Sequence, residues 1–134
     1  MGIMVIVLVL IMMQYSFFGI QVGKARVDYK VEAPAISGHP VFERHYRVQQ
    51  NTMEQLLVFI PMYLVFAFMA EGRGWMGHEI ASAMGILWLI GRFVYANAYV
   101  KDPALRGKGF MLSFLASVVL IVGNLLAGVL SLLG

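Results

Sequence analysis

The chain has 134 residues, of which 60% are hydrophobic and 13% charged, and its mean hydropathy is +0.80 with a formal net charge of +3. This composition excludes an ordinary soluble domain and predicts one integral membrane domain over residues 1–134. There is no cysteine, so disulfides and thiolate metal sites are excluded, and any thiol chemistry must come from a bound small molecule. The basic residues lie beside apolar segments, where topology signals and anion contacts explain them better than nucleic-acid binding.

Four apolar segments follow one another, and a membrane span needs about 20 mainly apolar residues. The first and last are long enough without any charged residue, whereas the two middle segments reach that length only by including ionisable side chains. The expected fold is therefore an all-α, multi-pass four-helix bundle in the membrane, whose second and third helices carry the polar groups. The predicted spans are about 2–24, 44–70, 78–100 and 108–133.

Three connections join these spans. Residues 24–41 and 101–108 contain proline and glycine and read as connectors, and residues 71–77, with three glycines, predict a tight turn. Nine of the ten basic residues, all but Arg73, lie in or beside the first and third connections. The positive-inside rule predicts that these two connections are cytoplasmic and that both termini lie on the opposite side.

The second span begins with a polar face. Arg44, Arg47, Asn51 and Glu54 follow one another at spacings of three, four and three, which places them within an arc of about 80° on a helix. Ionisable groups at membrane depth are costly unless they are paired or line a polar cavity, so Arg47, Asn51 and Glu54 are interpreted as a functional site. For Arg44 alone, an arginine reaching the lipid headgroups is the favoured interpretation.

The third span carries Arg92, Tyr95 and Tyr99 within an arc of about 60°. Each tyrosine alone fits an interfacial aromatic belt, but Arg92 interrupts an apolar helix on the same half as Arg47, so both faces can converge on one anionic ligand. Arg106, taken alone, is explained as a topology signal. The three histidines are isolated in sequence and form no metal-ligand pattern, so no metal is expected.

Three segments resemble one known family. Phe42 to Glu54 contains the pattern Glu-Arg-x-x-Arg-x-Gln-x-Asn-x-x-Glu, which resembles the signature of MAPEG, the membrane-associated proteins in eicosanoid and glutathione metabolism. Arg92 to Tyr99, followed by Leu105-Arg106, is similar to the third helix and the start of the fourth in the family's glutathione transferases and leukotriene C synthase. Gln21-Val22 with Ala25-Arg26 matches the end of their first helix. The resemblance covers essentially the whole chain.

The resemblance implies a homotrimer of four-helix subunits that binds glutathione between neighbouring subunits. Arg106 would face the glutathione sulfur. Guanidinium groups suit the two carboxylates of glutathione, Glu54 suits its ammonium, and a cation near the sulfur favours the thiolate. Carried over position by position, the residues that would hold glutathione are Arg26, Arg47, Gln49, Asn51, Glu54, Arg92, Tyr95 and Tyr99.

Two departures from the leukotriene synthase pattern, Gln55 and Val27, favour a broader enzyme. The expected function is a membrane glutathione transferase, with peroxidase activity as a second reaction, that acts on lipophilic electrophiles or lipid hydroperoxides among membrane lipids. A non-catalytic lipid-binding scaffold of the same fold is one alternative, but the presence of Arg47, Arg92 and Arg106 argues for catalysis. A small four-helix drug exporter is the other, and the arginines beside Glu54 argue against it because they repel cations.

Overall fold

The computed structural model describes residues 1–133 and consists of four long helices joined by short connections. Each helix is long and apolar enough to cross a membrane, and the predicted all-α four-helix fold is confirmed. A short 3-10 turn precedes the last helix. The helices are α1 (Gly2–Asp28), α2 (Pro40–Glu71), α3 (Gly77–Lys101) and α4 (Gly107–Leu133), and the 3-10 turn is Pro103–Arg106.

The first two helices extend beyond the predicted spans. Helix α1 continues for about one turn into polar sequence and ends before Lys30, whose φ of 53° is left-handed. Helix α2 begins at Pro40, where a proline suits the first helical position, and Nδ1 of His39 accepts a hydrogen bond from the backbone N–H of Val41 at 3.2 Å. The predicted bounds were too short because hydropathy marks the apolar part of a helix. The left-handed residue after α1 and the proline and cap at the start of α2 set the actual helix ends.

The predicted tight turn between α2 and α3 is confirmed. A Cβ atom at Gly77 would collide with the carbonyl oxygen of Ala67 and the backbone nitrogen of Glu71, so only glycine lets α3 begin this close to α2. The Glu71 carboxylate accepts a hydrogen bond from the backbone N–H of His78 at 3.2 Å and lies 3.0 Å from its Nδ1 atom. The turn therefore fixes α2 and α3 side by side.

Helices α3 and α4 meet through two glycines. A Cβ atom at Gly91 would lie 2.6 Å from the backbone nitrogen of Ser113, and one at Gly109 would collide with the backbone of Tyr95. Small residues permit such contacts between membrane helices, where backbones must come close for packing to stabilise the pair. The contact places the start of α4 directly beside Tyr95.

Polar side chains tie the helices together inside the apolar core. The Tyr63 hydroxyl donates to the carbonyl of Met4 at 2.8 Å, and Nε2 of Gln14 donates to the carbonyl of Leu89 at 2.9 Å. Trp88 is fully buried and stacks on Phe59, with ring centroids 5.0 Å apart. Large apolar side chains are exposed on the outside of all four helices, as expected for surfaces that contact lipid.

Replacing Gly109 with alanine should destabilise the bundle, because even a methyl group overlaps the backbone of Tyr95. Overpacking of this kind typically costs about 1–3 kcal/mol. Thermal unfolding of the detergent-solubilised protein should show a lower Tm for Gly109→Ala. Gly128→Ala is the matched control, since a Cβ atom there meets nothing within 4 Å, and it should keep the parent Tm or raise it slightly. Equal Tm values for both variants would contradict the contact.

Candidate functional site

The polar face of α2 forms as its spacing predicts. Nη1 of Arg47 lies 3.7 Å from Oε1 of Glu54, and Nδ2 of Asn51 donates a long hydrogen bond of 3.5 Å to Oε2 of the same carboxylate. The side chains of Arg47 and Glu54 are 56% and 48% exposed. A long, solvent-exposed ion pair contributes little stability, so both groups are available to other charged partners.

Helix α3 presents two phenols beside this face. The rings of Tyr95 and Tyr99 stack with their centroids 5.4 Å apart. Tyr95 is 3% exposed, whereas Tyr99 is partly exposed. The stacked pair therefore forms an aromatic wall with one buried and one partly exposed tyrosine.

These elements enclose a cavity of about 370 Å³, which we call the arginine–tyrosine pocket. Its volume lies within the range of about 300–1,000 Å³ that is usual for small-molecule sites. A neighbouring cleft of about 560 Å³ shares Arg47 and Tyr99 and opens toward the first connector. The residues that line the arginine–tyrosine pocket are Arg47, Asn51, Tyr95, Tyr99, Arg106 and Phe110.

The charge of the pocket suits an anionic organic ligand that also carries an ammonium group. Arg47 and Arg106 provide two exposed guanidinium groups, and the Glu54 carboxylate lies at the rim beside Arg47. Oδ1 of Asn51 is buried, and Nδ2 of the same amide points to the Glu54 carboxylate, so Asn51 presents a donor to this rim. Within residues 1–133, no three His, Cys, Asp or Glu side chains gather as a metal ion requires.

Arg92 lies behind the pocket and does not line it. Its side chain is fully buried, Nη2 donates to the Thr52 hydroxyl at 2.8 Å, and its guanidinium carbon lies 4.0 Å from the centroid of the Tyr95 ring. Thr52 in turn donates to the carbonyl of Val48 at 2.7 Å. The sequence analysis missed Thr52, although a hydroxyl next to Asn51 on an otherwise apolar helix face was a signal for it.

Two predicted ligands face away from the pocket of their own chain. Nη1 of Arg26 donates to the carbonyls of Val31 at 3.2 Å and Ala35 at 2.8 Å, so it holds the first connector. Gln49 points toward α1, where a Cβ atom at Gly19 would lie 2.9 Å from its Nε2 atom. One chain thus brings together Arg47, Asn51, Tyr95, Tyr99 and Arg106, with Glu54 at the rim.

Arg44 binds a different partner from the lipid headgroup that its sequence position favoured. Its Nη1 atom donates to the carbonyls of Val100 at 3.1 Å and Lys101 at 2.8 Å, at the C-terminus of α3. The last carbonyls of a helix lack intrahelical donors and carry partial negative charge, so they are a ready partner for an arginine. Arg44 therefore caps α3 within the protein instead of reaching for a lipid headgroup.

Replacing Thr52 with valine should leave the buried Arg92 guanidinium without its hydroxyl partner. Removing one partner of a buried charged group costs about 1–3 kcal/mol. The free energy of unfolding in denaturant should fall by that amount in Thr52→Val, whereas Thr52→Ser keeps the hydroxyl and should lose much less. An unchanged free energy of unfolding in Thr52→Val, which keeps the methyl group and lacks the hydroxyl, would contradict a stabilising role for the hydrogen bond.

Comparison with known proteins identifies several relatives. The sequence profile described as the MAPEG family matches residues 4–126. An uncharacterised protein of Synechocystis is 42% identical over 115 residues, which cover 86% of this chain and 80% of that protein. Human microsomal glutathione S-transferase 2 is 41% identical over 101 residues, 75% of this chain and 64% of its own length. Bovine leukotriene C4 synthase is 34% identical over 92 residues, 68% of this chain and 57% of its own. The matches thus cover less than two thirds of the length of the two named enzymes.

Proposed function

Because the chain belongs to the MAPEG family, we propose that it is a membrane glutathione transferase. The observation that carries this proposal is the arginine–tyrosine pocket, which combines two guanidinium groups, an amide and two phenols with a carboxylate at its rim. Glutathione offers the complementary groups, namely two carboxylates, one ammonium, two amides and a thiol. The named relatives that this chain resembles include a glutathione S-transferase, which supports the same choice of substrate.

Glutathione would replace the weak ion pair at the rim. Its ammonium group would bind Glu54 and one carboxylate would bind Arg47, so the two side chains would exchange a 3.7 Å contact with each other for contacts with the ligand. Nδ2 of Asn51, which makes only a long 3.5 Å hydrogen bond to Glu54, would donate to a ligand oxygen. Binding would therefore satisfy groups that are poorly satisfied in the free protein.

Arg106 would activate the sulfur. A free thiol has a pKa of about 8.5 and is only a few per cent thiolate at pH 7, and a nearby guanidinium lowers such a pKa by about 1–3 units. The thiolate would form a C–S bond with an electrophilic carbon while the leaving group departs with the bonding electron pair, and the thiol proton would pass to water. Tyr95, which lines the same pocket, would donate a hydrogen bond to the sulfur.

Lipid hydroperoxides would be reduced at the same place. The thiolate would attack the terminal peroxide oxygen and break the O–O bond, which leaves a sulfenic acid on glutathione and expels the lipid alkoxide, and the alkoxide would take a proton from water to give the alcohol. A second glutathione would then convert the sulfenic acid into glutathione disulfide and water. This reaction needs the same activated sulfur and no further protein group.

A homotrimer would complete the site. Arg47 and Gln49 are two residues apart on α2, so their side chains point about 200° apart around the helix. Arg47 lines the pocket of its own chain, whereas Gln49 and Arg26 lie on the α1 side. In a closed three-membered ring, each chain would offer Gln49 and Arg26 to the pocket of its neighbour, as a head-to-tail interface requires.

Glutathione should bind the detergent-solubilised protein and raise its Tm, since ligand at about 100 times its Kd adds about 2.7 kcal/mol of stability. In Glu54→Gln the ammonium loses its charged partner, and the apparent Kd should rise by about thirtyfold, equivalent to about 2 kcal/mol. Glu79→Gln, an exposed carboxylate at the start of α3, is the matched control and should bind normally. No thermal shift at saturating glutathione would refute the binding site.

The purified protein should conjugate glutathione to a model aryl halide, and Arg106→Ala should lower turnover at neutral pH by about ten- to a hundredfold, because the bound thiol pKa rises by about one to two units. Glutathione affinity should change by only a few fold, and turnover should recover at higher pH. Arg106→Lys should retain part of the activity, and Lys108→Ala should retain nearly all of it. Wild-type turnover with an unchanged thiolate titration in Arg106→Ala would exclude this role.

The pocket would face the cytoplasm, since it lies at the end of the bundle where the basic connections lie. The cysteine-free chain allows a direct test with an impermeant thiol reagent on sealed vesicles of known orientation. Ser37→Cys, in the first connector, should react only from the cytoplasmic side. Glu79→Cys, at the opposite end of the bundle, should react only from the other side. Reversed labelling would place the pocket in the wrong compartment for this proposal.

A further inference from the structure

A second cleft of about 290 Å³ lies among α1, α2 and α3. Its deep end is lined by aromatic and aliphatic side chains, Phe17 and Phe18 from α1, Val48 from α2 and Phe93 from α3. Phe17 and Phe93 are exposed at the surface of the bundle, so the cleft is open to the surrounding lipid. We call it the α1–α3 cleft.

The other end of the α1–α3 cleft is polar. It is lined by Gln21, His45, Asn97 and Lys101. Lys101 is the last residue of α3 and is exposed. A smaller cavity of about 140 Å³ shares Gln21 and His45 and continues past Lys24. Along α3 the cleft changes from apolar at Phe93 to cationic at Lys101 over about 12 Å, given a rise of 1.5 Å per residue.

The α1–α3 cleft is separate from the arginine–tyrosine pocket. Phe93 and Asn97 lie on one side of α3, and Tyr95 and Tyr99 line the pocket on the other. Between them, Phe18, Val48, Tyr95 and Ala96 form one closed cluster of buried side chains. A molecule in the cleft therefore has no path to a thiol bound in the pocket, so the cleft is not a site for the electrophile.

We propose that the α1–α3 cleft binds one acyl chain of an anionic membrane phospholipid, with its phosphate at Lys101. The volume is just below the range of about 300–1,000 Å³ for small-molecule pockets, which suits one chain and not a whole two-chain lipid. The apolar end lies at membrane depth and the cation at the helix end, which matches the order of chain and headgroup in a bilayer. Side-chain amides of Gln21 and Asn97 provide donors for phosphate or glycerol oxygens.

The site can be mapped with a photoreactive lipid. We would place the protein in phosphatidylcholine nanodiscs with a trace of phosphatidylglycerol that carries a diazirine in the middle of one chain, irradiate it, and locate the adducts by mass spectrometry. Adducts should concentrate on residues 17–21 and 93–97. Unlabelled phosphatidylglycerol should displace the probe, whereas extra phosphatidylcholine and soluble glycerol phosphate should not.

Two pairs of variants separate the contribution of the lipid headgroup to binding from that of the acyl chain. Lys101→Gln should weaken competition by phosphatidylglycerol about fivefold, which corresponds to about 1 kcal/mol for one cation at the membrane surface. Lys108 is an exposed cation outside the cleft, so Lys108→Gln should leave this competition unchanged. Asn97→Trp should fill the cleft and abolish the localised adducts, whereas Val94→Trp adds the same ring outside it and should leave them unchanged.

The glutathione-induced thermal shift serves as a folding check for all four variants, and its retention separates failure of the cleft from failure of the pocket. The proposal is overturned if adducts spread evenly over the outer surfaces of all four helices. It is also overturned if phosphatidylcholine competes as well as phosphatidylglycerol, or if Lys101→Gln and Asn97→Trp behave like their controls.

Discussion

The buried charge of Arg92 constrains the rest of the structure. A guanidinium inside an apolar bundle is costly unless nearby groups replace its water, and here it has the Thr52 hydroxyl at 2.8 Å and the face of the Tyr95 ring at 4.0 Å. The Thr52 contact joins α2 to α3 and so requires the two helices to pack at one particular register, whereas the Tyr95 contact lies within α3. The same contacts hold the Tyr95 ring at the back of the arginine–tyrosine pocket, so the stability of the bundle and the shape of the pocket depend on one side chain.

The position of Arg106 follows from a second constraint, the glycine contact between α3 and α4. Gly109 lies directly against the backbone of Tyr95, and the 3-10 turn before α4 is fixed by Asp102, whose Oδ1 atom accepts the backbone N–H of Ala104 at 2.9 Å. Arg106 ends that turn and reaches the pocket from a short, anchored segment. In the proposed reaction the cation acts on one sulfur atom and would benefit from such anchoring, because its effect falls with distance.

Helix periodicity predicted the faces of the site but not the partners of its arginines. Arg47, Asn51 and Glu54 lie together on α2 because residues three or four positions apart are neighbours on any helix surface. The helical period alone is enough to predict such pairs. The capping of α3 by Arg44 and the burial of Arg92 against Thr52 join residues about 40 to 57 positions apart, which no helical period encodes. The resemblance named Gln49 and Arg26 as ligands, but both lie on the α1 side, away from the pocket of their own chain.

The proposed chemistry also requires a water-soluble thiol and a membrane-dissolved substrate to meet. Phe110 belongs to the wall of the arginine–tyrosine pocket and stacks on Phe114, one turn further along α4, with ring centroids 5.9 Å apart. Phe114 and its neighbour Leu115 are exposed on the lipid-facing side. An apolar surface thus runs from the membrane to the wall that faces Arg106. In the proposed reaction, a lipophilic molecule would follow this surface to the pocket without leaving an apolar environment, while glutathione would arrive through the polar cleft that shares Arg47 and Tyr99.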